Sequence, residues 1–114
     1  MNYLFIHSFF EAPGGPPLDV SGEATSPESI LLRWKPPLTA YANGQILGYQ
    51  IYYREINGND GESVRTVRGR HRLEVSLAGL KPYTKYEVFA KAFNQVGSGP
   101  KSLPILISTL EGGR

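Results

Sequence analysis

Apolar side chains recur at every second position through four stretches of the chain. Ile30, Leu32 and Trp34 alternate with Leu31, Arg33 and Lys35. Tyr49, Ile51 and Tyr53 alternate with Gln50, Tyr52 and Arg54. Leu73, Val75 and Leu77 flank Glu74 and Ser76, and Tyr86, Val88, Ala90 and Ala92 alternate with Glu87, Phe89, Lys91 and Phe93. Successive side chains of an extended chain point to opposite faces, so each stretch predicts a strand with one face on a core. Shorter runs at 18–23, 63–67 and 105–109 bring the number of expected strands to seven, all rich in residues that suit a pleated surface. Turn signals separate them: Ser26-Pro27, Asn43-Gly44, Asn57-Gly58, Asp60-Gly61, Arg68-Gly69 and Lys81-Pro82, with Gly97, Gly99 and Pro100 in the last loop. No stretch carries a long helical stripe. The pattern predicts an all-β, seven-stranded antiparallel Greek-key sandwich. An open barrel has the same period, so alternation alone leaves both architectures standing.

Composition narrows the setting. A chain of 114 residues suits one domain. The absence of cysteine excludes disulfide frameworks, thiol catalysis and cysteine metal sites. A sandwich of about 100 residues folds without such staples, so the missing cysteines do not assign a compartment. The net charge of +2 is too small to point to nucleic acid. No apolar run approaches the roughly 20 residues of a membrane span. Residues 1–10 are apolar but lack the basic start and the cleavage pattern of a signal peptide. They are expected to be extraneous to the domain; the alternative is an apolar arm that packs on a neighbour. Glu11-Ala12-Pro13-Gly14-Gly15-Pro16-Pro17 reads as a linker, because proline removes amide donors and glycine loosens the chain. The expected organisation is a disordered tail and linker at 1–15, a folded unit at 16–111 and a linker at 112–114.

The ordered set of short motifs resembles a fibronectin type III domain across residues 16–111. Pro16-Pro17 opens the first strand, and Trp34-Lys35-Pro36-Pro37 closes the second. Gly48-Tyr49-Gln50-Ile51-Tyr52-Tyr53-Arg54 resembles the third strand, and Leu80-Lys81-Pro82-Tyr83-Thr84-Lys85-Tyr86 resembles the tyrosine corner. Ala92-Phe93-Asn94 and Gly97-Ser98-Gly99-Pro100 resemble the final strand and loop of that family. The resemblance implies an immunoglobulin-like sandwich without the disulfide. Trp34 is expected to fill the space between the sheets, and Leu80 to cover the end of the core. The Tyr86 hydroxyl is expected to reach a backbone group a few residues upstream. Thr109-Leu110-Glu111-Gly112 and Glu11-Ala12-Pro13 resemble the joints of a tandem array. The segment Asn43-Gly44-Gln45-Ile46-Leu47-Gly48-Tyr49 is similar to modules of the Down-syndrome-cell-adhesion, sidekick, neogenin and receptor-phosphatase families.

Catalytic chemistry finds no foothold in these motifs. The two histidines, His7 and His71, have no paired nucleophile recognisable in sequence. Gly97-Ser98-Gly99 does not open a helix after a strand, so it is not a phosphate loop. Arg68-Gly69-Arg70 stands where an integrin tripeptide needs aspartate. Trp34 is the only tryptophan, which excludes a cytokine-receptor Trp-Ser-x-Trp-Ser motif. None of Asn2, Asn43, Asn57, Asn59 and Asn94 begins a glycosylation sequon. The chain is thus expected to be no enzyme and to hold neither cofactor nor metal.

Two features remain as candidate binding sites. Arg65, Arg68, Arg70 and Arg72, with His71, form a basic turn suited to sulfate or phosphate groups, as in heparan sulfate or lipid headgroups. The alternative is a solvated hairpin kept soluble by its arginines, with Glu62 and Glu74 screening them. Alternation also places Tyr52, Phe89 and Phe93 together on an outward face as a candidate protein interface, flanked by Arg54 and Lys91. The stems of Arg54, Lys91 and Arg65 lying over the rings would cancel it. The loops at Asn43-Gly44 and at 94–101 are expected at one end of the sandwich.

The expected function is non-catalytic protein interaction and spacing in the extracellular part of a multidomain adhesion or guidance receptor. Its partners would be a homophilic or heterophilic protein and neighbouring modules, with heparan sulfate in addition and no nucleic acid; the isolated module would be monomeric. The rivals are a cytoplasmic cytoskeletal or muscle array and an accessory module of a secreted carbohydrate-active enzyme.

Overall fold

The computed structural model describes residues 11–112. Seven strands follow in order: β1 (Leu18–Ser26), β2 (Ser29–Lys35), β3 (Gly48–Glu55), β4 (Glu62–Arg68), β5 (Glu74–Leu77), β6 (Lys85–Phe93) and β7 (Ile105–Ser108). They form two separate sheets, β1-β2-β5 and β4-β3-β6-β7. Every pairing within them is antiparallel. The expected sandwich therefore stands, and the barrel does not. The β2-β5 and β3-β6 neighbours are not consecutive in the chain, because each pair is joined across the two sheets.

The alternation seen in sequence becomes the core. β2 supplies Ile30, Leu32 and Trp34, and β5 supplies Val75 and Leu77. The facing sheet contributes Tyr49, Ile51, Val67, Tyr86, Val88, Ala90 and Ala92, while Ile46 and Leu80 close it from loops. Small Ala90 and Ala92 stand beside Ile51 and Tyr49 in the β3–β6 register. Tyr53 and Leu73 lie at the margin, only partly buried against the cluster.

Strand limits differ from the sequence reading where pairing outlasts alternation. β1 continues to Ser26 because it stays on β2 down to the Ser26–Ser29 pair. Leu73 precedes β5, yet its carbonyl still accepts the Trp34 N–H at 3.1 Å. Thr109 lies beyond β7, with its amide bonded to the Thr84 carbonyl. A single 3-10 turn, Thr39–Tyr41, was not legible in the pattern.

Residues 11–15, expected as the end of a disordered tail, lie against the sandwich. The Gly14 amide donates to the Tyr41 carbonyl at 2.7 Å. Pro13 and Gly15 are buried. Side-chain amides of Asn43 and Asn94 take up the carbonyls of Ala12 and Glu11 at 2.9 and 2.8 Å. Linker composition marks an absence of regular structure; it does not prevent docking through backbone carbonyls. The apolar arm at 1–10, with His7, lies outside the described residues, as does the end of the 112–114 linker.

Candidate functional site

The outer face of the four-stranded sheet is set by register. β3 and β6 pair Tyr52 with Phe89, Gln50 with Lys91 and Gly48 with Phe93. These residues alternate with the core positions and so share the side away from it. Tyr52 and Phe89 stack with centroids 5.0 Å apart and planes 12° apart. Phe93 lies instead over Gly48, where an added Cβ would come within 2.9 Å of its ring. Lys91 stands between Phe93 and the stack along β6, so the expected three-ring patch is a pair plus a separate ring.

Cations cover this face. The Lys91 ammonium sits 4.9 Å from the Tyr52 ring, Lys101 lies 5.1 Å from Phe89, and the Arg68 guanidinium lies 6.0 Å from Phe93. Such contacts contribute about 0.5–1 kcal/mol each at exposed sites. All three rings remain half-buried rather than sealed. Arg54 is drawn away to Glu87 at 2.8 Å. Arg65 pairs with the core residue Ile51, so it lies on the other face of β4 from Arg68. Lys101 was missed in sequence, because it belongs to the last loop and is brought here only by tertiary pairing. That loop runs along β6: the Ser102 amide donates to the Ala90 carbonyl and the Ser102 hydroxyl accepts the Ala90 amide.

The basic turn is a built loop rather than a single patch. Arg65 and Arg68 project to opposite faces of β4, and Arg70 and Arg72 follow it. Gly69, at φ 113°, donates its amide to the Leu47 carbonyl and accepts the Arg72 amide. The Tyr49 hydroxyl donates to the Arg70 carbonyl at 2.8 Å, tying the turn to the core. Burial pushes the Tyr49 phenol up from its ordinary value. The Arg70 Nε donates to His71 Nε2 at 3.2 Å. None of the four arginines has an ion-pair partner among the described residues, whereas the opposite sheet pairs Arg33 with Glu23 and Glu74, and Lys35 with Asp19. Glu74, expected to screen the turn, is therefore engaged by Arg33.

The structural residues form the far end and the centre. The Tyr86 hydroxyl accepts the Lys81 amide at 2.9 Å, and Leu80 beside it is buried. Tyr83 is 76% exposed at φ 49°, so it is not the corner tyrosine. The Lys81 ammonium reaches Glu55 at 2.9 Å and Asp60 at 3.2 Å, and hydrogen bonds to these carboxylates push its pKa up. Trp34 lies between the sheets with its ring 5.4 Å from Tyr49, and its indole N–H has no partner among the described residues. The loops carrying Asn43 and Asn94 share one end, where the Asn94 amide donates to the Asn43 carbonyl at 2.9 Å.

Comparison with known proteins agrees with this architecture. The family model described as fibronectin type III domain matches residues 15–108. Cell adhesion molecule DSCAML1 of Mus musculus is 42% identical over 95% of this chain and 5% of its own length. Protein sidekick-1 of Gallus gallus is 40% identical over 82% of this chain and 4% of its own. The crystal structure of the FN5 domain of Drosophila Lar superposes with a TM-score of 0.72 at 32% identity, covering 88% of this chain and 99% of that one. The chain thus spans about one-twentieth of the curated relatives it matches. Sheet order, tyrosine corner and family match converge, and the chain belongs to the fibronectin type III domain family.

Proposed function

We propose that the chain is a non-catalytic contact and spacer module in the extracellular part of a cell-surface adhesion or guidance receptor. The observation that carries this reading is the half-exposed Tyr52–Phe89 stack at the centre of a sheet face, flanked by the cations of Lys91 and Lys101. Aromatics beside basic residues have the composition of binding hot spots. The adhesion receptors among its relatives support the setting. The isolated module is monomeric and meets its protein partner through this face. A multivalent form of the chain is expected to bind cell surfaces. Phe89→Ser should weaken that binding at least about tenfold, a loss of roughly 1.4 kcal/mol, while lowering the unfolding free energy by only about 1–2 kcal/mol, the stack and the Lys101 contact given up. Undiminished binding by Phe89→Ser overturns the interface.

Arg68, Arg70 and Arg72, without ion-pair partners among the described residues, favour a second contact, with a sulfated glycan such as heparan sulfate, while Arg65 faces the other side of β4. Guanidinium forks match sulfate oxygens, and exposed charge contacts are screened beyond about 8 Å at physiological salt. Retention on heparin at low salt is expected, and it should fall when Arg68, Arg70 and Arg72 are changed together to serine. Undiminished retention would move the site to Lys91 and Lys101, and no retention would leave the arginines a solubility role.

A further inference from the structure

The densest polar junction in the described chain is Asn94. It is 5% exposed and immediately follows β6. Its Oδ1 accepts the amides of Val96 at 2.9 Å and Gly97 at 3.2 Å, which shapes the last loop. Its Nδ2 donates to Glu11 at 2.8 Å, Asn43 at 2.9 Å and Ala42 at 3.4 Å, all through backbone carbonyls. One side chain thus binds three segments: the incoming chain, the β2–β3 loop and the β6–β7 loop. Two further contacts hold the same incoming segment. Asn43 donates to the Ala12 carbonyl, and Gly14 donates to Tyr41. Pro13 packs so closely on Gly99 that a Cβ there would lie 2.9 Å from the proline Cβ.

We propose that Asn94 is a positioning residue that turns the incoming chain into a rigid joint, fixing the direction in which the polypeptide reaches the sandwich. A run of proline and glycine on its own gives a loose or semi-rigid tether. Here its carbonyls find donors on buried Asn94 and partly buried Asn43, and a hydrogen bond withdrawn from water resists opening because the freed groups would be left poorly paired. The opposite end is held in the same manner. Thr109, 3% exposed, donates its hydroxyl to the Lys81 carbonyl at 2.6 Å and accepts the Thr84 amide at 2.9 Å. Leu110 then donates to Ser26 and accepts from Tyr83 through the backbone. With both ends held, the module transmits orientation as well as distance. This inference does not depend on the sheet-face interface.

Asn94→Asp separates the two halves of the junction. Aspartate keeps the acceptor for Val96 and Gly97 but removes the donor and sets a carboxylate against three carbonyls. In ¹⁵N relaxation of the full chain, the Ala12 and Gly14 amides are expected to show order parameters near about 0.85, as rigid backbone does. In Asn94→Asp the Ala12 amide, whose peptide carries the Glu11 carbonyl, should fall below about 0.6, while Gly14, held by its own bond to Tyr41, falls less and Ile51 and Val88 stay rigid. Mobile Ala12 and Gly14 in the unaltered chain, or a rigid Ala12 in folded Asn94→Asp, would overturn the joint. If Asn94→Asp does not fold, Asn43→Gly supplies the decision. Its backbone at φ 54° accepts glycine, and only the bond to Ala12 is lost. A drop at Ala12 supports the joint, and no drop overturns it.

Discussion

Trp34→Ala is expected to cost about 3–5 kcal/mol of unfolding free energy, measured by urea denaturation. Trp34 is 3% exposed and fills the gap between two sheets, each stiffened by its own hydrogen-bond ladder. Those ladders cannot close on a missing indole, so the loss includes both the transfer of the ring and the cavity left behind. The damage should also travel. Tyr49 packs on the indole and holds the basic turn through Arg70, so removing its neighbour loosens the support of that loop. Trp34→Phe should cost less, because it leaves a smaller void and removes an indole N–H that has no partner among the described residues. A Trp34→Ala loss under about 1 kcal/mol would place this residue outside the energetic centre of the sandwich.

Tyr86→Phe is expected to cost about 1–3 kcal/mol, whereas Tyr83→Phe should stay within about 0.5 kcal/mol. The asymmetry comes from what each hydroxyl leaves behind. Without the Tyr86 oxygen, the Lys81 amide loses its acceptor at a partly buried corner. The Lys81 carbonyl is held separately by Thr109, so the corner cannot turn as a unit to find a new partner. Tyr83 points to solvent and returns to water nothing that was bonded through its hydroxyl. Equal losses in the two variants would refute the assignment of Tyr86 as corner tyrosine.

Much of the fold was legible because strand period and burial are the same information. Ile30, Leu32 and Trp34 mark an inward face whatever their partners are, and the matching alternation in Tyr86, Val88, Ala90 and Ala92 marks another. Sandwich and barrel could not be separated this way, since both bury every second residue. The choice depends on which strand edges pair across long stretches of sequence. The candidate site was legible in part for the same reason. Alternation put Tyr52 and Phe89 on one side of the chain, but only the β3–β6 register made them stack. A shift of one residue would have turned one of them into the core.

The sequence by itself determined the strand number, the core face of the four alternating strands, the corner tyrosine and the family resemblance, because each rests on local spacing that survives in any packing. The tertiary structure alone decided which cations meet which rings. Lys101 reaches Phe89 because the last loop pairs along β6, and Arg65 leaves the basic cluster because its odd spacing from Arg68 reverses its face. It alone turned a proline- and glycine-rich linker into a docked segment, because the donors that hold it, Asn43 and Asn94, stand 31 and 83 residues away in the chain. Hydrogen bonds over such separations depend on the closure of the whole sandwich, and no local pattern carries them.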